Sequence, residues 1–210
     1  DPEYFGPASF SYTVDDGNGG MSIGVVTLTV NSVNDLPVLD LDTNTGGADF
    51  AAAYIEDGPA APVVGPSVLI TDSDTTMLEG AVVSLANGQL GDVLRVDVLT
   101  IGISVFPANP MALTDAGPLT LTLSGTASLA EYQTALQAIT FETESDTPPT
   151  VVRTVEIRVD DGFDMSNMAT TLISVTPAND APVAGVDVDL PATEDTVQVF
   201  TPADLLGNDF

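Results

Sequence analysis

The chain has 210 residues, 31 acidic and 3 basic, for a formal charge of −28 at pH 7, and contains no Lys, His, Cys or Trp. A surface of this sign repels phosphate, which excludes nucleic acid as a partner and disfavours an anionic membrane surface. Without His or Cys the usual general base, zinc ligands and disulfides are absent too, and no run of about 18 apolar residues offers a membrane-spanning helix or direct membrane insertion.

The first predicted element is a strand over residues 8–14, where Ala8, Phe10, Tyr12 and Val14 alternate with Ser9, Ser11 and Thr13. The turn Asp15-Asp16-Gly17-Asn18-Gly19-Gly20 follows, and Val26, Leu28 and Val30 alternate with polar neighbours in a second strand. In the middle of the chain Ala81-Val83-Leu85, Leu94-Val96-Val98 and Leu119-Leu121-Leu123 show the same period of two. Residues 128–139 break it. Leu129, Tyr132, Leu136 and Ile139 recur at helical spacing, and Ser128 with Glu131 forms a capping box, so one short helix is expected, with Tyr132 in the core. Val155, Ile157 and Val159, then Thr171, Ile173 and Val175, give two further strands around Asp160-Asp161-Gly162.

These last two strands repeat the first two. Asp15 and Asp160 lie 145 positions apart, as do Asn34 and Asn179, and each hairpin ends in Asn-Asp-x-Pro. The segment after each linker repeats as well: Pro37-Val38 matches Pro182-Val183, Asp42 matches Asp187, and Glu56-Asp57 corresponds to Glu194-Asp195 across a loop of different length. The expected organisation is the end of one domain over residues 1–35, a complete domain over 36–180 and the beginning of a third over 181–210. The start at Asp1-Pro2-Glu3 reads as a window on something longer. Strands at this density imply an all-β antiparallel sandwich. An isolated two-stranded hairpin is marginal in water, so residues 1–35 need strands from a neighbour or packing on the complete domain.

The acidic residues are 23 Asp against 8 Glu. Short Asp side chains suit turns and oxygen-ligated hard cations, so the bias points to calcium, with a halophilic surface as the plain alternative. Asp-Gly turns, Asn-Asp linkers, Glu-Asp pairs and Thr71-Asp72-Ser73-Asp74 all supply oxygens of this kind. Singly each is an ordinary turn or loop. Their recurrence in one order is the specific signal, and carboxylates gathered from both sides of a linker would repel unless a cation sat between them.

Other chemistries fare poorly. Glu142 and Glu144 alternate with Phe141 and Thr143 as the solvent face of a strand rather than as a glycosidase pair. No Ser-based triad is possible without His. Arg95, Arg153 and Arg158 are expected at outward strand positions or strand edges, paired with acids such as Asp97 or Glu156. Sugar stacking lacks Trp and is left with Tyr4 and Tyr54.

The ordered set "FSYTVDDGNGG" with "VNDLPV", "RTVEIRVDDG" with "ANDAPV", the head "EDTVQVFTPADLLGND" and the central "SLAEYQTALQAITFETESD" resembles the cadherin-like tandem repeats of giant bacterial surface and secreted proteins, including RTX-type adhesins. The resemblance covers nearly the whole chain. It implies Ig-like, cadherin-like sandwiches strung end to end with Ca2+ at the joints, and a non-enzymatic extender or adhesive filament segment at the bacterial cell surface. The ligands it implies are Asp16, Asp35, Glu56, Asp72 and Asp74 at the first joint, and Asp161, Asp180, Glu194 and Asp209 at the second. Partners on this reading are neighbouring repeats, with surface glycans or proteins as adhesive targets. The competing readings are a glycan-binding module with calcium at a loop tip, and an assembly subunit whose terminal half-domains complement each other between chains.

Overall fold

The computed structural model describes residues 4–96, 102–107, 111–113, 117–180, 194–197 and 199–202. Contacts divide the chain into two compact units, residues 1–177 and 178–210. The first unit opens with strands β1 (Gly6–Asp15) and β2 (Met21–Val30), followed by β3 (Val38–Asp40), β4 (Phe50–Ile55), β5 (Ala61–Pro62), β6 (Leu69–Thr71), β7 (Met77–Gly88) and β8 (Asp92–Val96). Then come β9 (Ser104–Phe106), β10 (Met111–Ala112), β11 (Gly117–Ser128), helix α1 (Leu129–Gln137), β12 (Ile139–Thr143), β13 (Arg153–Asp160) and β14 (Ala169–Thr176).

Two sheets make a sandwich. One runs β4-β14-β13-β7-β11-β9 and the other β10-β8-β12-β5. The all-β class with one short helix is the one the alternation predicts. Along β13 the residues Val155, Ile157 and Val159 are buried while their neighbours face outward, and β14 buries Ala169, Thr171, Ile173 and Val175 in the same way. All pairings in the two sheets are antiparallel except β14 with β4, which run parallel from Thr171↔Phe50 to Thr176↔Ile55. The sheets meet through side chains such as Tyr54 and Phe141, whose rings pack edge to face at 5.7 Å. Helix α1 carries the chain from β11 in one sheet to β12 in the other. Its Ser128–Glu131 capping box is formed, and Tyr132, Ala135 and Leu136 supply its buried face.

Arg158 is exposed and Arg95 partly exposed at outward strand positions, as expected, and Arg153 is the exception. Arg153 is fully buried and paired with the equally buried Asp92, whereas Arg95 pairs with Glu142 across β8 and β12. Arg153 shares the inward face of Val155 and Ile157, and a carboxylate waiting inside makes that position tolerable for a charge. Asp97, the other proposed partner, lies outside the described residues.

Strands β1 and β2 form a separate ladder from Gly6↔Val30 to Asp15↔Met21, and among the described residues no third strand joins it. The 145-residue correspondence makes this ladder the counterpart of β13–β14. Phe10, Tyr12, Val14 and Leu28 are 55, 51, 55 and 49% exposed, while their counterparts Val155, Ile157, Val159 and Ile173 are fully buried. One residue pattern thus sits on a covered face in one repeat and on an open face in the other.

Candidate metal centre at the Asn34–Asp35 linker

The repeated Asp-Asp-Gly turns are built alike. Glycine takes positive φ at Gly17 (71°) and Gly162 (93°), where a side chain would be strained. The preceding Asp folds over the turn. Asp161 Oδ1 accepts the backbone N–H groups of Phe163 and Asp164, each at 2.7 Å, as Asp16 Oδ1 accepts those of Asn18 at 2.8 Å and Gly20 at 2.9 Å. A third acidic turn precedes β7, where Asp72 Oδ1 accepts from Asp74 and Thr75, both at 3.0 Å.

The linker between β2 and β3 runs between two of these turns. Asn34 donates its side-chain amide to Asp161 Oδ2 at 3.0 Å and to Asp164 Oδ2 at 3.3 Å. Asp35 donates its backbone N–H to Asp74 Oδ2 at 3.3 Å, and Ser73 Oγ donates to Asp35 Oδ2 at 3.0 Å. A cleft of about 300 Å³ opens beside it, with Tyr4, Phe5 and Val30 on the hairpin side and Asp35, Ser73 and Asp74 on the other.

The electrostatics of the two turns differ in sign. The adjoining Asp72 carboxylate, reinforced by burial, raises the pKa of Asp74 above its ordinary 3.8 despite the bond from Asp35. At Asp161 burial also acts upward, but the bonds from Asp164, Phe163 and Asn34 outweigh it and leave that carboxyl below the ordinary range. Asp72 Oδ2 and Asp74 Oδ1 are buried atoms without a hydrogen-bond partner. A buried carboxylate oxygen in that state is unusual. Among the described residues, no group of three or more acidic side chains is arranged to hold a metal ion by itself.

Of the residues implied for the first joint, Asp35, Asp72 and Asp74 come together. Asp16 does not. Its turn closes the hairpin at Asp15↔Met21, whereas Val30, at the other end of the ladder, lines the linker cleft. Ten extended residues separate these ends by roughly 30 Å. Glu56 also lies elsewhere: it is buried and its N–H bonds to the Thr176 carbonyl at 3.0 Å, at the end of β14 away from the linker. Asp161, implied for the second joint, stands at the first through Asn34.

The second linker, in the unit 178–210, reproduces one local detail: Asn179 donates its side-chain amide to the Asp180 carbonyl at 3.0 Å, as Asn34 does to that of Asp35 at 3.3 Å. Glu194 is exposed in a turn, and the following Asp195 takes φ 61°, close to the 56° of Asp57 after Glu56. Asp209 lies outside the described residues. The sequence reading misses Asp164, which accepts from Asn34, and Asn167, which bonds to both backbone groups of Leu39, as members of the linker network. At the 145-residue offset Asp164 and Asn167 correspond to Gly19 and Ser22, so the repeat that exposes the other acids is silent about them.

No family model matches the chain. Over 137 residues it is 32% identical to halomucin of Haloquadratum walsbyi (strain DSM 16790 / HBSQ001), a stretch that is 64% of this chain and 1% of halomucin. Among solved structures, the protocadherin gamma B2 extracellular cadherin domains 3–6 match with a TM-score of 0.38 and 14% identity, over 91% of this chain and 38% of that one. The chain thus spans a small part of the length of either.

Proposed function

We propose that this chain is a non-enzymatic segment of an extracellular tandem array, a calcium-stiffened extender in a large bacterial cell-surface or secreted adhesin or filament. The observation that carries the reading is the bonding of one linker to two acidic turns from different parts of the sandwich: Asn34 to Asp161 and Asp164, Asp35 to Asp74. Linker position and turn position are coupled there, which a joint that transmits force requires. The repeat of 145 residues and the likeness of part of the chain to a stretch of halomucin support it.

The donor set suits a hard cation. Calcium takes roughly six to eight oxygens at flexible geometry, and Asp72 Oδ2 and Asp74 Oδ1 are carboxylate oxygens with no other partner. Asp35, bonded to Asp74 and Ser73, is the adjacent carboxylate that a bound cation would have to draw in, because without one the three acids are not arranged around a common point. Asp161 and Asp164 contribute charge from the opposite turn. Asp180 holds the place of Asp35 in the second linker, and with Glu194 and Asp209 it is proposed for a site of the same kind.

The experiment is a thermal unfolding series in EDTA, in about a millimolar calcium, in magnesium and in NaCl. A ligand bound by the folded state alone stabilises by about 2.7 kcal/mol at a hundredfold excess over Kd. A rise with calcium that Asp72→Ala or Asp35→Ala removes supports the clamp. An equal rise with NaCl would sink it and leave the acids as a salt-adapted surface.

A second observation, the open face of β1–β2, favours association with further strands. We assign these to a preceding repeat of the same polypeptide, so that residues 1–35 close one domain, 36–180 form the next and 181–210 begin a third. If instead the terminal segments complement each other between chains, light scattering will report a mass that grows with concentration.

A further inference from the structure

Strands β3 and β6 form a short ribbon in which Leu39 faces Ile70. The backbone groups of this pair do not bond to each other. Ile70 donates its N–H outward to Gln133 Oε1 at 3.0 Å. On the opposite edge, the Leu39 N–H donates to Asn167 Oδ1 and the Leu39 carbonyl accepts from Asn167 Nδ2, both at 2.8 Å. An amide that meets both backbone groups of one residue reproduces the bond pair of an antiparallel strand. Asn167 therefore serves as a one-residue third strand beside β3. Leu39 is fully buried, so without this partner its polar groups would be left unsatisfied at considerable cost.

Asn167 belongs to the loop between β13 and β14, the same loop whose acids Asp161 and Asp164 receive the Asn34 amide. The linker is thus held to one loop at two points, Asn34 and Leu39, with Asp35 between them. We propose that Asn167 is the positioning residue of the linker: its grip on Leu39 sets where Asp35 falls relative to Asp74 and Asp161, and so sets the affinity of the joint for a divalent cation. The consequence for cation affinity rests on the function proposed above; the grip itself does not. The counterpart of Asn167 in the preceding repeat is Ser22, which is too short to span both groups of a backbone residue.

The test uses the full chain with Asn167→Ala, Asn167→Asp and Tyr54→Phe. Tyr54→Phe removes a buried hydroxyl bonded to the Thr143 carbonyl, on a strand paired with the Glu56 end of β14, and controls for a general loss of stability. Two readouts are taken: amide hydrogen exchange of residues 33–41 in EDTA, and calcium affinity by titration calorimetry. Asn167→Ala is expected to speed exchange at Leu39 by roughly tenfold or more and to weaken calcium binding about tenfold, the lower end of the range for an outer-shell partner of a metal site. Asn167→Asp keeps the acceptor for the Leu39 N–H and should fall between, which preserves the comparison should the alanine variant fail to fold. Tyr54→Phe should leave both unchanged. Unaltered exchange and affinity in Asn167→Ala overturn the proposal, as does faster exchange with unaltered affinity. If the unsubstituted chain binds no calcium, the cation reading fails by itself, and the exchange measurement still decides whether Asn167 holds the linker.

Discussion

Asp74 donates its backbone N–H to Asp72 Oδ1 at 3.0 Å, and the two carboxylates are held close enough that Asp72 is the main cause of the raised pKa of Asp74. The sign of the linkage follows. A carboxyl whose folded pKa is raised binds its proton more tightly in the folded state. It favours folding below its ordinary value of 3.8, and that advantage is lost as pH rises through the raised value. At neutral pH, without a cation, Asp74 therefore opposes folding. Asp74→Asn should raise the melting temperature in EDTA and shrink the calcium-induced rise. A variant that melts lower in EDTA would show that the pair is not repulsive and remove the electrostatic reason for a cation there.

The placement of the acids gives a second prediction, because the sequence resemblance and the folded chain distribute them differently. Asp16→Ala is expected to leave the calcium response intact, since its turn is a full ladder length from the linker. Asp161→Asn should reduce the response through Asn34. Calorimetric titration of the two variants separates the cases. Loss of binding in Asp16→Ala with none in Asp161→Asn would restore the assignment carried by the resemblance.

The reason for that difference lies in strand geometry. The two hairpins, the capping box and the core position of Tyr132 are legible because each is a local pattern with a period of two or 3.6. Which acids share a joint is a long-range question. It depends on strand direction: β2 carries the chain ten extended residues away from Asp16 before the linker begins. The same reasoning places the counterpart Asp161 beside the preceding linker, although no spacing in the sequence announces the Asn34–Asp161 bond. Arg153 fails for another reason. The alternation with Val155 and Ile157 puts it inward, and only its charge argues for the surface; Asp92, which resolves the conflict, is 61 residues away.

That buried pair supports a third prediction. Arg153 Nε donates to Asp92 Oδ2 at 2.6 Å and Nη2 to Oδ1 at 3.2 Å, while Nη1 donates to the carbonyls of Pro149 and Val151. Removing one charge strands the other, so Arg153→Met should cost about 3–5 kcal/mol in a urea unfolding curve. Adding Asp92→Asn should recover part of the loss, because the uncompensated charge is then gone and Asn retains an oxygen for the Gln89 N–H. Equal stability of Arg153→Met and the unsubstituted chain would mean that the pair is not buried in solution.

The last prediction concerns the two matched hairpins. Their patterns are alike, but β13–β14 lies inside a six-stranded sheet between β7 and β4, whereas among the described residues β1–β2 has two open edges and a bare apolar face. Amide protection follows burial and cooperative packing rather than the hydrogen-bond ladder alone. In native-state exchange on this chain, amides of 153–159 and 169–175 should open only with global unfolding. Those of 8–14 and 24–30 should exchange by local opening at a free energy close to that of an isolated hairpin. Extending the polypeptide by a preceding repeat should bring residues 8–30 up to the protection of their counterparts, since the missing neighbours of β1 and β2 would then be counterparts of β7 and β4. Equal protection of the two hairpins in the chain alone would show that the exposed face of Phe10, Tyr12 and Leu28 is covered within this molecule, and would withdraw the case for further strands.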